Sequence, residues 1–410
     1  MTDIPERHGI HINQARKIVS PILFGIRNKV QAEPDAATWQ RLGERLLQGD
    51  SLADNLVEWL QTDTNASWKT FEQALKDAAV DKVYDCDSRG GLSAEPLQAF
   101  ITQCQSLPSW VDTQALDRAA FAIGRSGKAG MRVLRDFGLM AGYQASAINQ
   151  TLVQTGALSK GAARRVAETT KWWIDCTEPG NMLPGGAGWK STLRVRVIHA
   201  MVRQRLNQRE GWDSDYLGLP VNQVDMQVTY LAFSVMFLLG LKLIGMPYSR
   251  RESEDIMHLW RYIGWLMGVD ESLLAKSEQE GRVMLYQNLL SQAQADSTSV
   301  ELAKALKDEP LSRHYKGFTW LHRHWDRQVH LSLVRYFIGR RGMKALGLSP
   351  WTVPWYPLLT AVPRFFFHAL IGVLPGGKAW LSAYGRQKQQ KQLRVMFGPE
   401  RPEILEVSHQ

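Results

Sequence analysis

Residues 191–207 read STLRVRVIHAMVRQRLN, and apolar residues recur along them at every third or fourth position, the period of an α-helix. The same period runs through Thr38 to Gln48, Ala66 to Ala78, Thr113 to Phe121, Gly161 to Asp175, Gln223 to Lys242 and Arg251 to Leu266. Strand alternation is hard to find, so the expected class is all-α. Turn signals punctuate these segments at Glu178-Pro179-Gly180, Leu183-Pro184-Gly185-Gly186, Leu219-Pro220 and Gly245-Met246-Pro247. No internal repeat is evident.

Working outward, three regions are expected. Residues 1–115 are a polar helical region packing on the core, and residues 87–91, DSRGG, lie near its end. Residues 116–346 are the expected core, with the densest motifs between Leu116 and Val269. Residues 347–410 form an aromatic and basic extension, in which Trp351 to Leu374 mixes prolines with Trp351, Trp355, Tyr356 and Phe365 to Phe367. That segment either wraps the body or meets a membrane interface, and packing against the body is the expectation. Met226 to Gly245 is long enough to span a bilayer but carries Gln227, Thr229, Ser234 and Lys242. A buried helix of a large helical domain accounts for it.

With 410 residues, 44% of them apolar and 10% aromatic, the chain can bury a substantial core. Its three cysteines, Cys86, Cys104 and Cys176, are too few and too irregularly spaced for a disulfide framework or a zinc site, which fits a reducing compartment. The N-terminal residues carry charges and a proline where a signal peptide needs a clean apolar stretch, so a cytoplasmic location is expected. A formal charge of +9 favours anionic partners. No basic run dominates and no helix-turn-helix, zinc-finger or RNP-type signature is present, which speaks against nucleic acid. Thirteen Met and 15 Trp suit the lining of a roomy apolar pocket.

Two helical segments carry the chemistry. In GAARRVAETTKWW, residues 161–173, Arg165, Glu168 and Thr169 fall at i, i+3 and i+4 and so are expected on one face. In the opening stretch, Arg196, His199 and Arg203 sit at i−3, i and i+4. A histidine between two arginines is an electrostatic oddity if all three are buried alone. It becomes sensible if an anion lies across the face, as haem does when imidazole binds iron and the propionates accept from arginine. A surface helix with a polar stripe is the alternative, and it suits Arg194 and Arg205.

Arg-x-x-x-Thr, a Gly-Pro-rich connection and a helix of the form R-V-R-x-x-H-A-x-x-R resemble the core of the latex-clearing proteins and their wider relatives, which include fungal mycophenolic-acid-pathway oxygenases. The likeness continues through PVNQVDMQVTYLAFS and HLWRYIGWLMGV, covering roughly Leu116 to Leu346. It implies a globin-like helical core around a b-type haem, with His199 as the proximal iron ligand and Arg165 and Thr169 on the distal side. Two departures stand out. The family's distal lysine is replaced by Glu168, expected to pair with Arg165 one turn away, and its proposed glutamate base falls near Asn149, which cannot act as a base. Glu168 is the candidate to assume that role.

Other histidines are weaker candidates. His322, Asp326 and His330 share a face at four-residue spacing, but Arg323 and Arg327 beside them favour a solvated or anion-facing surface, from which Arg327 or Arg335 could also reach a propionate. Asp255 and His258 form a D-x-x-H pair without the matching motifs of a di-iron bundle, so His258 reads as a core or pocket histidine. The expectation is therefore a haem b oxygenase that uses dioxygen on an apolar, unsaturated isoprenoid- or lipid-like substrate other than rubber itself. His199 holds the iron, Arg196 and Arg203 bind propionates, and Arg165, Glu168 and Thr169 serve catalysis. The rival is a non-catalytic helical protein that binds haem or lipid at a membrane surface or with a partner.

Overall fold

Every helical period read from the sequence folds as a helix, and side-chain caps explain where several of them start. Asn222 accepts from the backbone N–H groups of Val224 and Asp225 at 3.1 and 3.0 Å. Ser249 and Glu252 form a reciprocal capping box. Asp50, Ser67 and Asp112 each take up an otherwise orphaned first-turn N–H. The helices run over Trp68–Asp77, Thr113–Gly124, Ala162–Cys176, Ala187–Asn207, Gln223–Leu243 and Arg250–Leu266, with Ala36–Glu44 extended by a short 3-10 turn. The structure, a computed structural model, describes residues 4–26, 32–63, 66–78, 94–156 and 161–400, so Cys86 and the turn signal at 87–91 lie outside it. Among the described residues there is no strand, and the fold is all-α.

One buried cluster joins Ala53 and Leu56 of the Ser51–Thr62 helix to Leu393 and Phe397 near the C-terminus. Its centre is aromatic: Phe233 stacks on Trp260 at 5.1 Å, and Trp172 meets both rings edge-on. The Gln223–Leu243 helix, one of two among the described residues long and apolar enough to cross a membrane, has 72% of its apolar window buried in the protein. Its apolar length serves the interior.

The Ala162–Cys176 and Ala187–Asn207 helices lie side by side. Trp172 Nε1 donates to Thr192 Oγ1 at 3.1 Å. A Cβ on Gly188 would stand 2.7 Å from the Asp175 carbonyl oxygen and 2.8 Å from Cys176 Cα. The close approach of the two backbones thus requires a residue without a side chain.

The C-terminal extension departs from expectation. Trp355 to Val373 is one helix despite its prolines; Pro357 sits in the first turn, where proline is tolerated. Only Pro357 is fully buried, and Phe365, Phe366 and Phe367 are all exposed. The expected packing of this segment against the body holds for Trp355, Tyr356 and Pro357 and is overturned for most apolar residues beyond them. Thr360, Arg364 and His368, spaced by four, are the less exposed side, so the helix turns its aromatic side outward. The Gly377–Phe397 helix that follows does pack, burying Leu381, Gly385 and Leu393.

Candidate functional site

A chamber of about 1250 Å³ opens beside the Ala162–Cys176 helix. Ala162, Arg165, Val166, Thr169, Thr170 and Trp173 border it, the i, i+3, i+4, i+7 series of one helical face. Opposite stand Phe233, Met236 and Leu239 of the Gln223–Leu243 helix, and Phe137 and Phe337, stacked at 4.7 Å, close another side. Two of the walls are π-helical, Leu134–Leu139 and Ala232–Met236, and these segments pack on each other. Each π turn admits an extra residue and widens the helix, a distortion that concentrates at functional sites. Neither the π turns nor the roles of Tyr143 and Phe233 were visible in the sequence, because one inserted residue leaves the apolar period almost unchanged.

Arg165 and Thr169 face the chamber together, as their spacing predicts. Arg165 has no carboxylate partner among the described residues and lies near Tyr143, whose hydroxyl pKa burial raises against the opposing pull of Arg165. Asn149 also borders the chamber. Its Nδ2 donates to the Tyr143 carbonyl at 2.8 Å and to Ser299 Oγ at 3.0 Å, while its Oδ1 is buried without a partner. Glu168 is not with them. Its Oε1 accepts from Arg164 Nε at 2.7 Å, and it does not border the chamber, which corrects the expected Arg165 pair. Four residues apart, Arg164 and Glu168 share a neighbouring stripe of the helix. The described wall contains no Asp, Glu or His at all.

Arg196 and Arg203 are buried on the His199 face, as the helix period requires, but each has a protein counter-charge. Arg196 makes two bonds to Asp50, Nε to Oδ2 at 2.6 Å and Nη2 to Oδ1 at 2.8 Å, and reaches the Leu266 carbonyl at 3.3 Å. Arg203 pairs with Asp54 at 2.8 Å and donates to the Val221 carbonyl at 2.7 Å. The assignment of these two arginines to haem propionates is therefore corrected: Asp50 and Asp54 neutralise them. The sequence shows only that Asp50 and Asp54 sit four apart at the start of a helix, which does not name their partners.

His199 itself is uncommitted. Its Nδ1 is buried without a partner, and no described residue hydrogen-bonds either ring nitrogen. Burial pushes its pKa down to about 4, with Arg203 adding to the effect. The ring is therefore neutral near pH 7, the form that binds iron. It keeps accessible surface within protein that encloses it, but it does not border the large chamber. As a donor, then, His199 fits a haem iron, whereas the two arginines do not fit its propionates.

The other candidates resolve structurally. His330 and Asp326 are buried in an ionic network. His330 Nδ1 lies 2.8 Å from Asp136 Oδ1, while Arg313 joins Glu309 at 2.8 Å and Asp326 at 3.0 Å. The expected solvated surface holds only for His322, which is exposed and bonds to the Gly317 and Phe318 carbonyls. Arg327 pairs with Asp308, and Arg335 donates to the Pro350 carbonyl. His258 Nε2 accepts from the Asp112 N–H at 2.9 Å, and Asp255 pairs with Arg118 at 2.8 Å. Among the described residues no cluster of His, Cys, Asp and Glu is poised to hold a metal.

Comparison with known proteins accords with this architecture. The family model for the catalytic domain of the ER-bound oxygenase mpaB/B' and rubber oxygenase matches residues 128–370. The rubber oxygenase of Streptomyces sp. (strain K30) is 28% identical over 190 residues, 45% of this chain and 46% of that protein, so the match spans about half the relative's length. The latex clearing protein LCP in its closed state superposes with a TM-score of 0.55 at 19% identity, over 85% of this chain and 91% of the other, a likeness of fold alone. With more than half of its length inside the family match, the chain belongs to the mpaB/B' and rubber oxygenase family.

Proposed function

We propose that this protein is a haem b-dependent oxygenase that uses dioxygen on an apolar, unsaturated isoprenoid- or lipid-like substrate. The observation that carries the reading is the chamber: about 1250 Å³, walled largely by aromatic and aliphatic side chains, with Arg165 and Thr169 together on one helix face. Pockets for drug-sized ligands run to roughly 1,000 Å³, so a long apolar molecule is accommodated. His199 would hold the iron through a neutral ring nitrogen. When bound, haem supplies the redox centre at which dioxygen is activated. With haem bound, Arg165 would offer positive charge and Thr169 a hydroxyl donor from one face of the chamber. Because the described wall holds no carboxylate or imidazole, a side-chain base is not part of this reading, and neither Asn149 nor the ion-paired Glu168 supplies one. Cys104 and Cys176 are free, and burial raises both thiol pKa values. Such inert thiols support a reducing, cytoplasmic setting.

The missing base also favours a second reading, a non-catalytic carrier of apolar ligands. One pair of measurements separates the two. Protein expressed with ample haem precursor should give one haem b per chain by the pyridine haemochrome assay, His199→Ala should lose it, and the loaded protein should consume oxygen with an unsaturated isoprenoid. Colourless wild-type protein, or His199→Ala with full haem content, would overturn the oxygenase. Haem without oxygen uptake would favour the carrier.

A further inference from the structure

The Trp355–Val373 helix is built with inverted polarity. Thr360, Arg364 and His368 form its less exposed stripe, and Arg364 Nη1 donates to the Ile244 carbonyl at 2.6 Å. Burial and the charges of Arg125 and Arg364 push the His368 pKa down to about 4. The opposite side presents Leu359, Val362, Phe366, Leu370 and Val373, between 56% and 80% exposed. A water-facing helix puts its apolar residues inward, and large contiguous apolar patches on soluble proteins mark binding surfaces.

Charge identifies the occupant. Between residues 327 and 399 the sequence has eleven Lys and Arg and not one Asp or Glu; Arg327 and Lys378 pair with Asp308 and Glu252 from outside the stretch, and most of the others add to its positive charge. Exposed Trp351 precedes the helix, and Trp380 and Tyr384 follow it; Arg340 lies 5.1 Å from the Trp351 ring and Lys388 4.8 Å from that of Tyr384. Amphipathic aromatics beside basic groups are what the headgroup layer of a bilayer selects, with acidic headgroups attracting the Lys and Arg. At 19 residues the helix is about 28 Å long, enough to cross a bilayer. However, its polar stripe is tied to the body: Arg364 holds Ile244, and the Tyr356 N–H donates to Ser332 Oγ at 2.9 Å. It can bury only its outer side, as a helix lying in the interface does.

We propose that the outward side of the Trp355–Val373 helix, flanked by Trp351, Trp380 and Tyr384, seats this protein on an anionic lipid surface as a peripheral membrane protein. The chamber wall reaches the foot of this helix. Exposed Leu243, Arg341 and Lys344 border the chamber, and Leu243 directly precedes the residue that Arg364 holds. An apolar molecule leaving the lipid would meet that wall without crossing water. The docking itself does not depend on what the chamber does chemically.

Vesicle co-sedimentation of the full chain tests it, using phosphatidylcholine vesicles with and without a minority of phosphatidylserine, at low and high salt. The wild type should bind the anionic vesicles at least about tenfold more tightly at low salt, with the advantage shrinking as salt rises. Phe366→Glu combined with Leu370→Glu should abolish sedimentation, whereas Phe24→Glu, at an exposed phenylalanine outside this helix, should not. Since the replaced side chains are exposed, circular dichroism and melting should be unchanged in both variants. Equal partition of wild type and double variant would overturn the proposal. So would a wild type that stays in the supernatant, including one forming a dimer by sedimentation equilibrium that the double variant dissolves, which would make this side an interface between copies.

Discussion

Arg165, half-buried and without a carboxylate partner among the described residues, and Arg196, buried against Asp50, have opposite surroundings, and the difference sets what each substitution does. Arg196 is fully enclosed and neutralised by Asp50, which also caps the Ser51–Thr62 helix. Asp50→Ala should leave a buried guanidinium uncompensated and cost about 3–5 kcal/mol, read by urea denaturation. Asp54→Ala should cost clearly less, because Asp54 is 36% exposed and Arg203 keeps the Val221 carbonyl. Arg165→Leu should leave stability within about 0.5 kcal/mol of wild type or raise it, since no carboxylate partner is lost, while oxygen uptake falls sharply. A variant that loses stability together with activity would show Arg165 to be structural.

At the scale of elements, the site depends on how closely the Ala162–Cys176 and Ala187–Asn207 helices approach. Gly188 faces backbone atoms at 2.7 and 2.8 Å, which cannot move aside as a flexible side chain could. Gly188→Val should push the helices apart, break the bond from Trp172 to Thr192 and cost roughly 1–3 kcal/mol. Tryptophan fluorescence during denaturation would report it, because Trp172 and Trp189 both sit at this contact. The π turns act oppositely, holding space open where straight helices would close on each other.

For the whole molecule, the buried histidines and ion-paired carboxylates make stability fall as the pH drops, against a smaller opposing contribution from Asp54 and Asp175, whose pKa values burial raises. Burial lowers the pKa of His330, and that of His8 to about 4, against ordinary values near 6.5. Above about pH 6.5 both states are neutral at these sites. As the pH falls below that, the unfolded chain takes up protons the folded chain refuses, so stability drops until the folded pKa is reached, by at most about 1.4 kcal/mol per pH unit for each fully buried group. Asp136, Glu309 and Asp326, held low by neighbouring Arg and Lys charges despite burial, add a further loss below their ordinary carboxylate range. Melting temperature should therefore decline from about pH 6.5 to about pH 4. A flat profile would show that the network is open to water.

The helices, their boundaries to within a few residues, the shared face of Arg165 and Thr169, and that of Arg196, His199 and Arg203 were all determined by the sequence itself. Helical period and capping are local, set by residues three or four apart. Only the tertiary structure decided who meets whom. Asp50 reaches Arg196 across 146 residues, and nothing in the local pattern distinguishes that carboxylate from a ligand's. Glu168 turned to Arg164 rather than Arg165 because two arginines, four and three residues before it, are both within helical reach, and packing settles which is open. The outward aromatic side of the Trp355–Val373 helix was equally undecided in the sequence, because periodicity defines two faces without saying which one the body covers.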